Sequence, residues 1–279
     1  MRQIELLQLR PPHMAAFVLA LDPQNDRSIA PYMRGAGVWE PAETQLCRRV
    51  LRPGMHAVDV GAHVGYYSVL FSRLVGAAGS VQAFEPEPDN FRLLQANLLL
   101  NDCRNVCTHA LALTQARGRE WLHLCADNPG DHRLAATPAR RRIEVDTLDL
   151  DTALAGAAVD FVKIDTQGAE PRVLAGMQAT LRANRERLAC MMEFAPGLLA
   201  QAGVSLDAWT AQLTALDARV YAISLQAQNL DLCRLAPLRE GLGALAAVLA
   251  RQGEVDASCD VFVVFGDAAE RDWLARFRG

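Results

Sequence analysis

The sequence predicts an α/β chain built on one open, mostly parallel, seven-stranded sheet with helices on both faces. Three observations point there. Short apolar runs that stop at Gly, Glu-Pro or Asp alternate with runs of helical periodicity along most of the chain. The 279 residues are 51% hydrophobic, enough to bury a sizeable core. No internal repeat or low-complexity linker divides them.

Residues 1–40 carry weak periodicity and turn signals at Arg10-Pro11-Pro12, Asp22-Pro23 and Arg34-Gly35-Ala36-Gly37, and read as an N-terminal cap or lid. The main domain, 41–279, opens with a helix over Pro41–Leu51, Pro41 occupying its first turn. A strand over His56–Val60 stops at Gly61, and a helix follows over Tyr66–Val75. The next pair is a strand over Ser80–Phe84 and a helix from Pro88 to Leu100, and a third strand covers Val106–Leu111. Such strand-helix repeats build a parallel sheet, because a parallel neighbour can be reached only by a crossover. Glu120–Ala126 and Arg142–Val145 read as strands flanking a long polar loop, Asp127-Asn128-Pro129-Gly130-Asp131-His132-Arg133, of a kind that is either functional or disordered. Alternation resumes with a strand over Asp160–Ile164, a helix over Glu170–Ala183, a strand over Leu188–Phe194 and a helix over Leu206–Leu216. A strand over Val220–Ser224, a helix over Pro237–Ala250, a strand over Asp260–Phe265 and a short tail helix close the chain.

The net charge is −4, which argues against nucleic acid as the main partner. No apolar run approaches the length of a membrane span; Met14–Leu21 is too short and ends at Asp22-Pro23, and it lacks the flanks of a secretory signal. The expectation is a cytoplasmic protein. The seven cysteines are scattered without a C-x-x-C pair, so neither a disulfide framework nor a zinc site is predicted, and no acidic spacing requires a metal. All 28 basic residues are arginine except Lys163. Lysine is a compact charge whose pKa moves readily on burial, so a lone lysine against that bias stands out.

In such a sheet a ligand lies outside the carboxyl ends of the strands, where strand order reverses. Two stretches there carry a nucleoside signal. Val58-Asp59-Val60-Gly61-Ala62-His63-Val64-Gly65-Tyr66 is an apolar strand, an acid, and two glycines opening a helix whose N-terminal N–H groups a ligand can approach. Its G-x-x-x-G spacing is not the dinucleotide G-x-G-x-x-G, which disfavours a nicotinamide oxidoreductase without removing it. Glu85-Pro86 ends the next strand at the separation where nucleotide-binding units place an acid on the ribose hydroxyls. A third stretch reads independently. In Asp160-Phe161-Val162-Lys163-Ile164-Asp165, strand geometry puts Phe161, Lys163 and Asp165 on one face. Charges in a strand buried on both sides are costly unless paired, so they are either useful or a structural ion pair.

The stretches Val58–Ser68, Phe84-Glu85-Pro86 and Val162-Lys163-Ile164-Asp165-Thr166-Gln167-Gly168-Ala169-Glu170 resemble, in order, the signatures of FkbM-type methyltransferases. The similarity runs from about Val38 to Phe194 and includes Gly37-Val38-Trp39-Glu40. It implies a Rossmann-like class I methyltransferase fold and S-adenosylmethionine as cofactor. It also implies that Asp59, Gly61 and Gly65, with His63 and Tyr66 of the same stretch, line the methionine and ribose part. Glu85 would hold the ribose beside Pro86, Ala110 and Leu111 would lie near the adenine, and Glu40 near the amino group. The family usually has Glu-Gly where this chain has Gln167-Gly168, so no carboxylate role is carried to position 167. Acceptors in the family are hydroxyl groups of sugars, polysaccharides or macrolide-like products, which implies O-methylation of a small-molecule or glycan acceptor.

Transfer to a hydroxyl needs a group to orient the acceptor and take its proton. The candidates are Asp165 with Lys163, then His132 in the polar loop, and Glu193 at the end of its strand. A non-catalytic nucleoside-binding protein remains the other alternative, against which the presence of Lys163 and Asp165 speaks.

Overall fold

A computed structural model describes residues 4–24, 26–226 and 229–278. Strand β3 (His56–Val60) lies between β4 (Ser80–Phe84) and β9 (Phe161–Ile164), all three parallel. Beyond β4 lies β5 (Val106–His109), and beyond β9 lies β10 (Ala189–Phe194), again parallel. Three antiparallel strands finish the sheet: β13 (Cys259–Phe265), β11 (Ala218–Gln226) and β12 (Asn229–Arg234). The order β12-β11-β13-β10-β9-β3-β4-β5 contains the seven expected strands and an eighth, β12, at the edge. β12 escapes a reading for turns because no Gly, Pro, Asn or Asp separates Gln226 from Asn229.

Side chains alternate between two cores, as strand geometry demands. Ala57, Phe161, Ala189 and Phe262 face α2 (Pro41–Val50), α3 (Tyr66–Val75), α4 (Pro88–Leu100) and α11 (Asp267–Arg278). Val58, Val162, Cys190 and Val263 face the other layer: α5 (Leu150–Leu154), α6 (Glu170–Ala175), α7 (Gln178–Ala183), α8 (Pro196–Gln201), α9 (Leu206–Ala215) and α10 (Leu238–Ala250). The helix expected over Glu170–Ala183 is two helices, α6 and α7. It breaks at Gly176, whose carbonyl accepts from the N–H of Asp151 at 3.0 Å.

The N-terminal segment is more regular than its periodicity suggests. An antiparallel hairpin of β1 (Glu5–Leu9) and β2 (Phe17–Leu21) leads into α1 (Ile29–Ala36), and Leu9, Phe17, Leu19 and Met33 belong to the first core. Asn97 in the last turn of α4 and Asn101, which caps its C-terminus, take the place of a neighbouring strand for β2. Asn97 accepts from the N–H of Ala20 (2.6 Å) and donates to its carbonyl (3.1 Å), and Asn101 does the same for Val18 (3.2 and 2.7 Å). Backbone groups at that sheet edge are thereby satisfied without a strand. The middle section forms a separate sheet of β6 (Ala112–Leu113), β8 (Arg141–Leu148) and β7 (Gly118–Leu124). No helix among the described residues is long and apolar enough to cross a membrane.

Candidate active site

Strand order reverses at β3, with β4 and β5 on one side and β9 and β10 on the other, and a cavity of ≈ 340 Å³ opens over the carboxyl ends of these strands. Asp59, Gly61, Phe84, Glu85, Lys163, Asp165 and Glu193 all line it. Six more of the residues expected at the cofactor or acceptor also line it: Glu40, His63, Tyr66, Pro86, Leu111 and His132. Gly65 and Ala110 do not.

The two glycines differ in their reason for being glycine. At Gly61, φ is +80° and an added Cβ would lie 1.9 Å from the carbonyl oxygen of Asp165, so the β3 and β9 ends could not close together around any larger residue. Gly65 was expected to open the helix N-terminus to a ligand. Its φ is also positive, +91°, but its bare side faces Leu94 of α4, whose Cδ1 would be 2.6 Å from a Cβ; its role here is helix packing.

The turn after β3 is tied to the end of β4. Glu85 accepts from the backbone N–H groups of His63 and Glu87, both at 2.8 Å, which fixes its carboxylate at the cavity wall. Burial pushes its pKa up to about 8. His63 has φ +50°, and burial drives its pKa down to about 3, so its ring is neutral; its buried Nε2 has no partner among the described residues. Asp59 accepts from Ser68 Oγ through Oδ2 (2.6 Å), whereas its buried Oδ1 has no partner among the described residues.

Lys163 is the hub of the other half. Its Nζ donates to Asp165 Oδ2 at 2.7 Å and sits 4.6 Å from the centre of the Tyr67 ring. Burial opposes its charge, but Asp165, Glu40, Asp260 and Asp59 surround it and hold its pKa well above the usual range. Against burial, Lys163 in turn keeps Asp165 below the carboxylate norm. Glu40 caps α2 with a left-handed backbone (φ +43°), and its carboxylate accepts from Tyr67 Oη at 2.7 Å; burial raises its pKa to about 7. Tyr67 and Asp260 were not singled out from the sequence. Tyr67 sits inside the first signature, and Asp260 opens a strand whose register sets it opposite Glu193.

Gln167 joins the two acids at the acceptor end. Its Nε2 donates to Asp165 Oδ1 (2.9 Å) and to Glu193 (3.0 and 3.1 Å). Burial, then the charges of Asp165, Glu170 and Asp260, push the Glu193 carboxyl well above its ordinary range. His132 lies on the opposite wall, and its Nδ1 accepts from the N–H of Cys125 at 3.1 Å. The loop carrying it is ordered: Asp131 pairs with Arg133 and Arg140, each at 2.5 Å, and the Pro129 carbonyl accepts from Asn90 at 3.0 Å. α1 supplies Ile29 and Met33 to the same cavity, a contribution with no motif to reveal it.

Residues 59–220 match the Methyltransferase FkbM domain family. The chain belongs to the FkbM methyltransferase family. It is 31% identical over 160 residues to the 31-O-demethyl-FK506 methyltransferase FkbM of Streptomyces tacrolimicus, a match covering 46% of this chain and 61% of that protein. The chain therefore spans less than two thirds of that relative. Among solved structures it is similar to a precorrin-6y C5,15-methyltransferase from Geobacter metallireducens (12% identity, 82% and 88% of the two chains, TM-score 0.44). It is also similar to a SAM-dependent O-methyltransferase from Thermotoga maritima (12% identity, 94% and 78%, TM-score 0.43).

The cavity of this FkbM-family chain suits S-adenosylmethionine on its own chemistry. That cofactor carries a sulfonium and an ammonium. The cavity offers the unpartnered Asp59 Oδ1 and the carboxyls of Glu40 and Glu85, while burial keeps His63 and His132 neutral, His132 at about 4. Lys163 offsets Glu40 and Asp59 only in part, and burial raises all three acids, a cost that a cationic ligand would relieve.

Proposed function

We propose that the protein is an S-adenosylmethionine-dependent O-methyltransferase acting on a hydroxyl of a sugar, polysaccharide or polyketide-like small molecule. The observation that carries this reading is the chain Lys163–Asp165–Gln167–Glu193, which adjoins, in one cavity, the Asp59 and Glu85 end suited to the cofactor. Asp59, with Glu40, would hold the cofactor's amino group, and Glu85 the ribose hydroxyls. Leu111 and Pro86 would flank the base, and Gly61 sets the turn that lets the strand ends meet beneath it. When bound there, S-adenosylmethionine would supply an electrophilic sulfonium methyl, whose transfer to the acceptor oxygen would leave the C–S electron pair on sulfur.

The residues of this chain then divide the work. Glu193, once ionised, takes the hydroxyl proton: burial and the neighbouring acids raise its proton affinity above that of Asp165, which is committed to Lys163, so the active fraction of the enzyme should grow as pH rises. Asp165 and Lys163 hold the acceptor end in place. His132, considered as a base from its sequence setting, serves as a donor instead. Its Nδ1 lone pair is occupied by the Cys125 N–H, so the neutral ring carries its proton on Nε2.

The test is transfer of labelled methyl from S-adenosylmethionine to pooled glycans and hydroxylated metabolites. Glu193→Gln should lower kcat by ~10²–10⁴-fold with cofactor affinity retained. Near-native kcat in that variant, or incorporation of label into amines and not hydroxyls, would overturn the assignment.

A further inference from the structure

Gln167 is held more rigidly than a loop glutamine needs to be. Its backbone is left-handed (φ +54°), as is that of Gly168 (φ +100°). The fully buried carboxylate of Glu170 pins this turn by accepting from the N–H and Oγ1 of Thr166 (2.9 and 3.0 Å) and the N–H of Gly168 (3.1 Å). The orientation of the amide is fixed too. Asp165, kept ionised by Lys163, can only accept, so the amide atom that meets both Asp165 and Glu193 is the NH₂, and its two hydrogens are used there. Oε1 is left without a partner among the described residues, on a side chain that lines the cavity.

We propose that Gln167 selects acceptors carrying a second hydrogen-bond donor beside the methylated hydroxyl: a vicinal diol, or a hydroxyl next to an amine. This rests on the O-methyltransferase reading above. The amide nitrogen and oxygen share one carbon, so a donor received at Oε1 lies next to the hydroxyl whose proton goes to Glu193. Neighbouring hydroxyls on a sugar ring have that spacing, and an isolated alcohol lacks the second donor. An acceptor without it leaves Oε1 desolvated and unpaired, which a site built around a polar contact tolerates poorly.

The experiment compares the methyl glycosides of glucose, galactose, mannose and rhamnose, each with the analogue lacking the hydroxyl adjacent to the methylated one. With the wild-type chain, kcat/KM should fall roughly 10- to 100-fold on removing that hydroxyl. Gln167→Met should bring the two analogues within about two-fold of each other, because residue and substrate group are coupled and either loss removes the same contact. S-adenosylmethionine affinity, measured alongside, should stay at the wild-type value. Equal wild-type rates on diol and deoxy analogue, or a ratio that Gln167→Met leaves unchanged, overturns the proposal while methyl transfer itself stands. Should the variant not fold, the wild-type ratio decides alone. No transfer to any hydroxyl probe by a chain that binds the cofactor overturns the O-methyltransferase reading and this inference with it.

Discussion

Lys163 Nζ and Asp165 Oδ2 lie 2.7 Å apart on one face of β9, and Lys163 is the cation around which Glu40, Asp59 and Asp260 are also gathered. Removing one member of a buried pair leaves an uncompensated charge, which typically costs ~3–5 kcal/mol. Lys163→Met should therefore lose about that much stability at pH 8, with recovery at lower pH as the orphaned carboxyls take up protons. Urea unfolding at pH 8 and pH 5.5 checks this. Stability within about 1 kcal/mol of wild type at pH 8 would show that Lys163 is not the charge that balances the site.

The two glycines of the first signature should respond unequally. Gly61→Ala places a Cβ against backbone, the Asp165 carbonyl, which cannot step aside, and forces a side chain into φ +80°. Strain and overpacking of about 1–3 kcal/mol each predict a loss of several kcal/mol, and of cofactor binding with it. Gly65→Ala meets only the flexible end of Leu94 and should cost about half as much. Equal unfolding midpoints for the two variants would contradict the difference in what each glycine faces.

Asn97 is buried and serves both carbonyl and N–H of Ala20 and the carbonyl of Val64 (2.7 Å). Asn97→Leu would leave three backbone groups unpaired, at about 1–3 kcal/mol for each. Limited proteolysis should then cut within the first 25 or so residues, which stay resistant in the wild type if the hairpin is held as described.

The fold was legible wherever burial leaves a mark in composition. β3, β4 and β9 are short apolar runs that stop at Gly61, Glu85 and Asp165, β10 is an apolar run that stops before Pro196, and their order follows from the crossovers. β12 and the β1–β2 hairpin left weaker marks, since one edge strand lacks turn residues and the other relies on asparagine side chains contributed by α4. In the site, Asp59, Glu85, Lys163 and Asp165 could be read because charges at buried strand ends are conspicuous. Gln167 and His132 could be placed, but not given a direction: the amide is oriented by Glu193, distant in sequence, and the imidazole by a backbone N–H. Gly65 looked like a ligand contact because spacing alone does not say which wall a glycine faces.

Titration of the site gives a pH dependence whose sign can be worked out. Burial raises Glu85 to about 8 and Glu40 to about 7, against 4.5 in an unfolded chain, so each favours folding below pH 4.5 and loses that contribution as pH rises through its folded value. His63 and His132, lowered from 6.5 to about 3 and about 4, act oppositely and gain stability up to pH 6.5. Above pH 6.5 the two histidines add nothing further, while these two acids and the still more strongly raised Glu193 and Asp260 all favour the protonated folded state, so the cofactor-free protein should lose stability between pH 6.5 and 8.5. The gain in Tm on adding S-adenosylmethionine should be larger at pH 8.5 than at 6.5, because the cation meets acids already ionised. Chemical-denaturation curves at the two pH values check the first statement and thermal unfolding the second.

In the proposed cofactor site, the turn at Gly61 and the carboxylate of Glu85 would together hold the adenosyl group. Isothermal titration of S-adenosylmethionine into the wild-type chain and Glu85→Ala tests it most directly. The expected result is a single site in the wild type and an affinity roughly 10- to 100-fold weaker in a variant whose circular dichroism is unchanged. No binding to the wild type, or equal affinity in the two proteins, would contradict it.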